Sequence, residues 1–234
     1  IAAEALTVLA EEIERLIAGG TKLEAAVQKV VQENLKKHQA VLFNGDNYTS
    51  AWHEEAARRG LPNIRSSVDA FAALNDADAK AAFKRQNVCI DIELDARYNI
   101  AVEAYIKTVS IEAQLTSEMA RTLILPAGFR SQTDISNCVI ATKAAGSGDF
   151  SAAEKSLKTI SAATARLRNA IDSLDEIRGK ADHGGGDIGH HAQFYRDQII
   201  PAMNEVRAAA DALELLVDDQ HWPIPKYREL LFMI

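Results

Sequence analysis

Cysteine is nearly missing from this chain. Cys89 and Cys138 cannot make a disulfide framework and neither belongs to a CxxC pair, so both read as reduced thiols of a cytosolic protein rather than redox or zinc ligands. Long apolar runs are missing too: none approaches a transmembrane span, and no basic, apolar, small-residue leader opens the sequence. Dense runs of Lys and Arg are absent. With 26 basic against 33 acidic residues and a net charge of −7, the chain lacks the surface of a nucleic-acid or anionic-membrane binder. Aromatic side chains are few, at 7 Phe, 5 Tyr and 2 Trp, whereas alanine occurs 40 times among 234 residues. Alanine is the best helix former, and aromatic and β-branched residues favour strands, so this balance predicts helices packed closely on small side chains. At 47% hydrophobic and 25% charged, the composition is that of a folded protein with a sizeable core. The first residue is Ile1 rather than Met, which reads as a piece of a longer chain.

Apolar spacing divides the sequence into three stretches. Residues 3–18 carry Leu6, Leu9, Ile13, Leu16 and Ile17 at helical intervals up to Gly19-Gly20. Thr21 to Glu24 has the form of a capping box, opening a second helix whose expected buried face is Leu23, Val27, Val30, Val31 and Leu35. Residues 1–38 therefore read as an antiparallel helical hairpin. Residues 39–90 read as a connector, in which Ala40 to Phe43 fits a brief strand entering a turn at Asn44-Gly45-Asp46-Asn47. Ser50, Ser66-Ser67 and Asp76 fit caps of short helices there.

From 91 to 234 the pattern is that of long helices. An apolar series from Leu94 to Leu123 runs without Gly or Pro to Pro126, where a kink or short break is expected. Ser151 to Glu154 has the form of a second capping box. Behind it Leu157, Ile160, Thr164, Leu167, Ile171 and Leu174 alternate three and four apart, the spacing of a coiled-coil seam. Met203, Val206, Ala210, Leu213 and Val217 repeat that alternation, so 152–179 and 188–218 are predicted to pair as a hairpin, with Pro201 bending the second partner or marking its start. Trp222 to Pro225 leaves the bundle, and Tyr227, Leu230, Leu231 and Phe232 form a short apolar tail that must dock. The predicted fold class is all-α: a long-helix bundle with an antiparallel hairpin, preceded by short helices and a small irregular connector with room for one short strand.

Tests for chemistry find little. His183-Gly184-Gly185-Gly186 has the look of an oxyanion loop, but no Gly-x-Ser-x-Gly elbow accompanies it, so it reads as a chain reversal. His183, His190 and His191 could be offered as a metal site, yet adjacent histidines point about 100° apart on a helix and cannot chelate one ion from a single face. No Glu-x-x-His, no Gly-x-x-x-x-Gly-Lys and no Gly-x-Gly-x-x-Gly occurs. Asp172, Asp175 and Glu176 are spaced as a solvated face opposite the seam. The one irregular polar segment flanked by bulky groups is Asn44, Gly45, Asp46, Asn47 and Tyr48, between Phe43 and Trp52. It is a candidate loop for a ligand or a neighbouring chain, and turn chemistry alone also accounts for it.

Particular strings narrow the reading further. Val41-Leu42-Phe43-Asn44-Gly45-Asp46-Asn47-Tyr48, Trp52-His53-Glu54-Glu55-Ala56 and Arg59-Gly60-Leu61-Pro62-Asn63 resemble the C-terminal part of type III glutamine synthetases, the long-subunit bacterial form. Arg97-Tyr98, Met119-Ala120-Arg121-Thr122, Ile124-Leu125-Pro126-Ala127, Tyr195-Arg196-Asp197, Pro201-Ala202-Met203-Asn204 and the ending from Trp222 are similar to that family as well. The resemblance is colinear and weakest from 131 to 190. It implies a parent enzyme that joins glutamate and ammonia into glutamine using ATP with Mg or Mn, through γ-glutamyl phosphate. It also implies that Ile1 to Leu6 belongs to the helix closing the catalytic domain, so no catalytic residue carries over and this chain binds no cofactor itself. The expected partners are its own catalytic domain and neighbouring subunits of a homo-oligomeric ring, in the cytoplasm, with no nucleic acid or membrane. A free-standing helical scaffold or protein-interaction bundle is the alternative.

Overall fold

The computed structural model describes residues 1–146, 148–181 and 187–231, and all regular structure among them is helical, as expected from the alanine-rich, aromatic-poor composition. The chain divides into two compact units, Ile1–Ile100 and Ala101–Ile234.

In the first unit, α1 (Ala2–Ala18) and α2 (Leu23–Lys37) pair as the predicted hairpin. Gly20 closes α1 at φ +89°, a backbone that glycine adopts without steric cost, and Thr21 N–H then donates to Leu16 O at 3.1 Å. The capping box at Thr21 does not form. The helix starts one residue later, at an N-cap Lys22 that makes no side-chain capping bond.

The buried face of α2 differs from the prediction more deeply. Only Ala26 and Val30 are buried, and they are spaced to meet α1. Leu23, Val27, Val31 and Leu35, spaced four apart along a different face, remain 56%, 37%, 51% and 53% exposed. The helix is therefore apolar on two sides while the hairpin covers one.

The expected strand at Ala40 to Phe43 is absent. Gln39–Val41 is a single 3₁₀ turn. The carbonyls that a neighbouring strand would have engaged are taken by one side chain: Arg59 Nη1 donates to Ala40 O at 3.0 Å and Leu42 O at 2.7 Å. Short helices follow: α3 (Ser50–Arg58), α4 (Ser67–Ala72) and α5 (Ala77–Arg85). Ser66 and Asp76 cap the last two as predicted, accepting from Asp69 N–H and Asp78 N–H. The cap of α3 is Thr49 rather than Ser50, without a side-chain bond. The end of α5 is tied to α1, since Arg85 pairs with Glu4 at 2.8 Å and Gln86 Nε2 donates to Glu4 and to Thr7 Oγ1.

In the second unit, α6 (Asp91–Met119, crossing from the first unit), α7 (Leu125–Ala144), α8 (Ser151–Ala181), α9 (Ile188–Phe194) and α10 (Ile200–Glu214) build the bundle. The chain reversal predicted at His183 to Gly186 lies outside the described residues. Helix α8 packs against both α7 and α10, so its seam serves two neighbours. Ile160, Thr164, Leu167, Ile171 and Leu174 are all buried, and Val206, Ala210, Leu213 and Val217 answer them. The second capping box also fails to form. Asp149, not Ser151, serves the first amides of α8, accepting from Ser151 N–H at 2.8 Å, while Glu154 pairs with Lys143 at 2.5 Å.

Neither proline breaks its helix. Ala120–Ile124 and Tyr195–Ile199 widen into π turns, each ending two residues before Pro126 or Pro201. A proline removes the N–H that the carbonyl four residues back would have used and crowds that turn, and the wider winding relieves both. Each turn carries the same pattern, Arg-x-x-Ile-x-Pro-Ala, at Arg121 to Ala127 and at Arg196 to Ala202.

Candidate functional site

The candidate loop sits in the first unit, and its residues Asn44, Gly45, Asp46, Asn47 and Tyr48 are all exposed. Its shape comes from its own side chains. Asp46 accepts from Tyr48 N–H through Oδ1 at 2.9 Å, and its carbonyl accepts from Thr49 Oγ1 at 2.8 Å, which closes the turn. The Phe43 ring lies under Gly45, where an added Cβ would come 2.7 Å from a ring carbon. Phe43 also packs on Trp52, with centroids 4.8 Å apart.

Arg59 organises the whole segment. Its guanidinium sits 5.7 Å from the Trp52 ring centroid, donates to the Ala40 and Leu42 carbonyls, and pairs with Glu55 at 2.6 Å. Hydrogen bonds from Arg58 and then Arg59 hold the Glu55 carboxyl below the usual glutamate range. A carboxylate held low contributes stability that is complete above its unfolded pKa and is lost as pH falls through the folded one. Acidification below the ordinary glutamate value of 4.5 is therefore expected to loosen Arg59 from Glu55 and change Trp52 fluorescence in a Trp222→Phe background. An emission spectrum constant down to pH 2 would contradict this. Sequence spacing held a signal for the arrangement: Trp52, Glu55 and Arg59 lie three and four apart on one helix face.

The second unit has a polar junction on α8. Ser117, only 4% exposed, donates to Asp175 Oδ1 at 2.7 Å, while Arg121 and Arg178 also bond to Asp175. Arg168 in turn donates to Asp172 at 2.8 Å. Asp172 and Asp175, read from sequence as part of a solvated face, instead tie α6 and its π turn to α8. The missed signal is non-local, since Arg121 lies 54 residues from Asp175. Asp175→Ala is expected to lower thermal stability by about 1 kcal/mol, reflecting a partly exposed network, and a melting temperature unchanged within error would refute that role.

The tail docks chiefly through Trp222 and Lys226, each 8% exposed, rather than through Leu230 and Leu231, which stay 53% and 78% exposed. Lys226 Nζ donates to Glu214 O and Val217 O at 3.2 Å and pairs with Asp219 at 2.5 Å, placing a cation at the negative end of α10. The last short helix, α11 (Tyr227–Leu230), follows at once, and Tyr227 contacts Arg207 and Asp211. A shallow groove results, lined by Met119, Ile124, Val206, Trp222, Ile224 and Tyr227. Lys226→Met is expected to free the tail, shift Trp222 emission to the red and cost about 1–2 kcal/mol; unchanged emission would show that the apolar contacts suffice. Phe232, the tail's last predicted contact, lies outside the described residues.

Of the histidines, His190 is exposed and 4.0 Å from Asp187, and His191 lies edge-on to Tyr195; His183 lies outside the described residues. Among the described residues no group of three His, Cys, Asp or Glu side chains converges to hold a metal ion, and no helix is long and apolar enough to cross a membrane.

The family model described as the glutamine synthetase C-terminal domain matches residues 26–143, half of the chain. The chain belongs to that family. It is similar to the type-3 glutamine synthetase of Dictyostelium discoideum, 32% identical over 237 residues, which take in 100% of this chain and 32% of that protein. It is likewise similar to the glutamine synthetase of Butyrivibrio fibrisolvens, 32% identical across 92% of this chain and 31% of the relative. A third relative, the glutamine synthetase of Bacteroides fragilis (strain YCH46), is 29% identical over 94% of this chain and 31% of its own length. The chain thus spans about a third of the length of the curated relatives it matches. Two of the strings that resemble the family, around Arg121 and around Arg196, fall on the first and second π turns.

Proposed function

We propose that this chain is the C-terminal helical module of a glutamine synthetase, supporting a catalytic domain and taking part in subunit packing of a ring-shaped homo-oligomer. The observation that carries this reading is the uncovered stripe of α2. Four large aliphatic side chains at Leu23, Val27, Val31 and Leu35 stand exposed beside a hairpin that has already used its other face. Burying such side chains is worth about 1.5–3 kcal/mol each, so the stripe is suited to a further domain of a longer protein. In that protein, ATP with Mg or Mn would convert glutamate and ammonia to glutamine, in the cytoplasm, with the carboxylates and arginines that hold metal and phosphate supplied outside these 234 residues. No step of that chemistry is routed through the residues described above. The loop from Asn44 to Tyr48 serves this reading as a contact at the parent's active-site entrance or a regulatory surface.

Three experiments test it. The 234-residue chain alone should form no glutamine from ATP, glutamate and ammonia, and measurable formation would sink the claim. Removing 91–234 from the longer protein should disturb its sedimentation profile, and an unchanged profile would count against an assembly role. Asp46→Ala in the longer protein, with assembly intact, separates the loop's roles: lost activity supports the contact, and unchanged kinetics remove it.

A further inference from the structure

The helix α6 is apolar on both sides, and its outward side has no partner within the described residues. Val102, Val109, Ala113 and Ser117 form its buried face. At 100° per residue, Ile111 and Leu115 fall on the opposite face, where they are 59% and 49% exposed, with Met119 at the edge. Ala104 and Thr108 share that face and are small enough to let another backbone approach. A helix with an apolar stripe on each of two sides buries both in its working state.

The charges on this face say what buries it. Lys107 stands near one end and Glu118 near the other. Lys107 pairs with Glu103 at 3.0 Å, with both side chains mostly exposed, and Glu118 has no cationic partner among the described residues. We infer that the outward face of α6 is a two-fold contact between two copies of this chain, running antiparallel about an axis that crosses the outward face at the height of residue 113. That register sets Ile111 against Leu115 of the second copy and Lys107 within one residue of its Glu118. Every contact then occurs twice, as a two-fold interface requires. A parallel pair would set Lys107 against Lys107 and Glu118 against Glu118, so the charges select the antiparallel arrangement. Glu112, at the rim, comes opposite Gln114 and meets no like charge. The inference rests on the assembly role proposed above and names one surface for it, distinct from the α2 stripe.

The test uses the 234-residue chain. In a Cys89→Ser, Cys138→Ser background, copies carrying Ile111→Cys are mixed with copies carrying Leu115→Cys under mild oxidation. The mixed disulfide should dominate over either self-linked product, because only the mixed pair lies directly opposite. Sedimentation velocity then reads the charges. Lys107→Glu or Glu118→Lys alone should weaken self-association by about tenfold, since each change converts two attractions into repulsions, and the double exchange should restore it. Circular dichroism checks that each variant folds, which these exposed positions permit. A chain that stays monomeric at all concentrations, self-linked products in place of the mixed one, or a double exchange that fails to restore association overturns the interface. Any of these leaves the assembly role to be judged separately by the deletion of 91–234.

Discussion

Leu167→Ala should be the most damaging single truncation in the long-helix bundle, lowering stability by about 3–4 kcal/mol. Leu167 is fully buried at the middle of α8, the helix flanked by both α7 and α10. Removing its isobutyl group forfeits the transfer energy of the apolar carbons and leaves a hole that two neighbouring helices cannot both collapse to fill. The same substitution at Leu215, 86% exposed just beyond α10, should change stability by no more than about 0.5 kcal/mol. Denaturant unfolding of both variants makes the comparison internal, because side chain and replacement are identical. Equal losses at the two positions would mean that α8 is not the centre of the core.

The second large effect is expected at Gly128, where α7 crosses α8. A Cβ built there would lie 2.9 Å from Thr164 Oγ1, 3.4 Å from Thr164 Cγ2 and 3.6 Å from a methyl of Leu213. Thr164 cannot retreat. It is 3% exposed, β-branched and stiff in its helix, and its hydroxyl donates to Ile160 O at 2.8 Å. Gly128→Val is therefore expected to cost about 3 kcal/mol by forcing the helices apart. Gly128→Ala sets two opposing terms against each other: overpacking of about 2 kcal/mol and a helix-propensity gain near 1 kcal/mol. The net loss should be about 1 kcal/mol. In a Thr164→Ala background the obstruction is gone, and the same Gly128→Ala change should become stabilising. If its sign does not reverse between the two backgrounds, close approach to Thr164 is not why glycine stands there.

These two positions also mark what could be read from the sequence. The seam through Leu167 was legible because three-four alternation encodes a face of a helix regardless of what covers it. The caps at Ser66 and Asp76 were legible because one side chain and a nearby amide form each of them. Gly128 was not, since its meaning depends on Thr164, 36 residues away on a different helix. Failure on α2 has the same cause: periodicity placed Leu23, Val27, Val30, Val31 and Leu35 on one buried face and could not say that α1 would take Ala26 and Val30 while leaving the other four open. Ala40 to Phe43 looked like a strand because its composition is strand-like, but Arg59 claimed its carbonyls from 17 and 19 residues away. At the candidate loop, Asn44 to Tyr48 showed its turn in advance through Asp46. The Arg59, Glu55 and Trp52 cluster behind the turn became visible only in three dimensions.

The π turns before Pro126 and Pro201 have a bearing on what this bundle can tolerate over time. Each π turn holds one residue more than an ordinary winding, so the helix beyond it is out of phase with the helix before it by about 100°. Deleting Leu123 would restore a regular winding and with it the crowding at Pro126, and it would swing Ser117 and Arg121 off Asp175 as soon as Gly128 kept its seat on Thr164. What must persist between Ser117 and Gly128 is thus the number of residues as well as the identity of the buried ones, Ile124 and Leu125 among them. A single lost codon in this stretch dephases the helix even where every remaining side chain is kept.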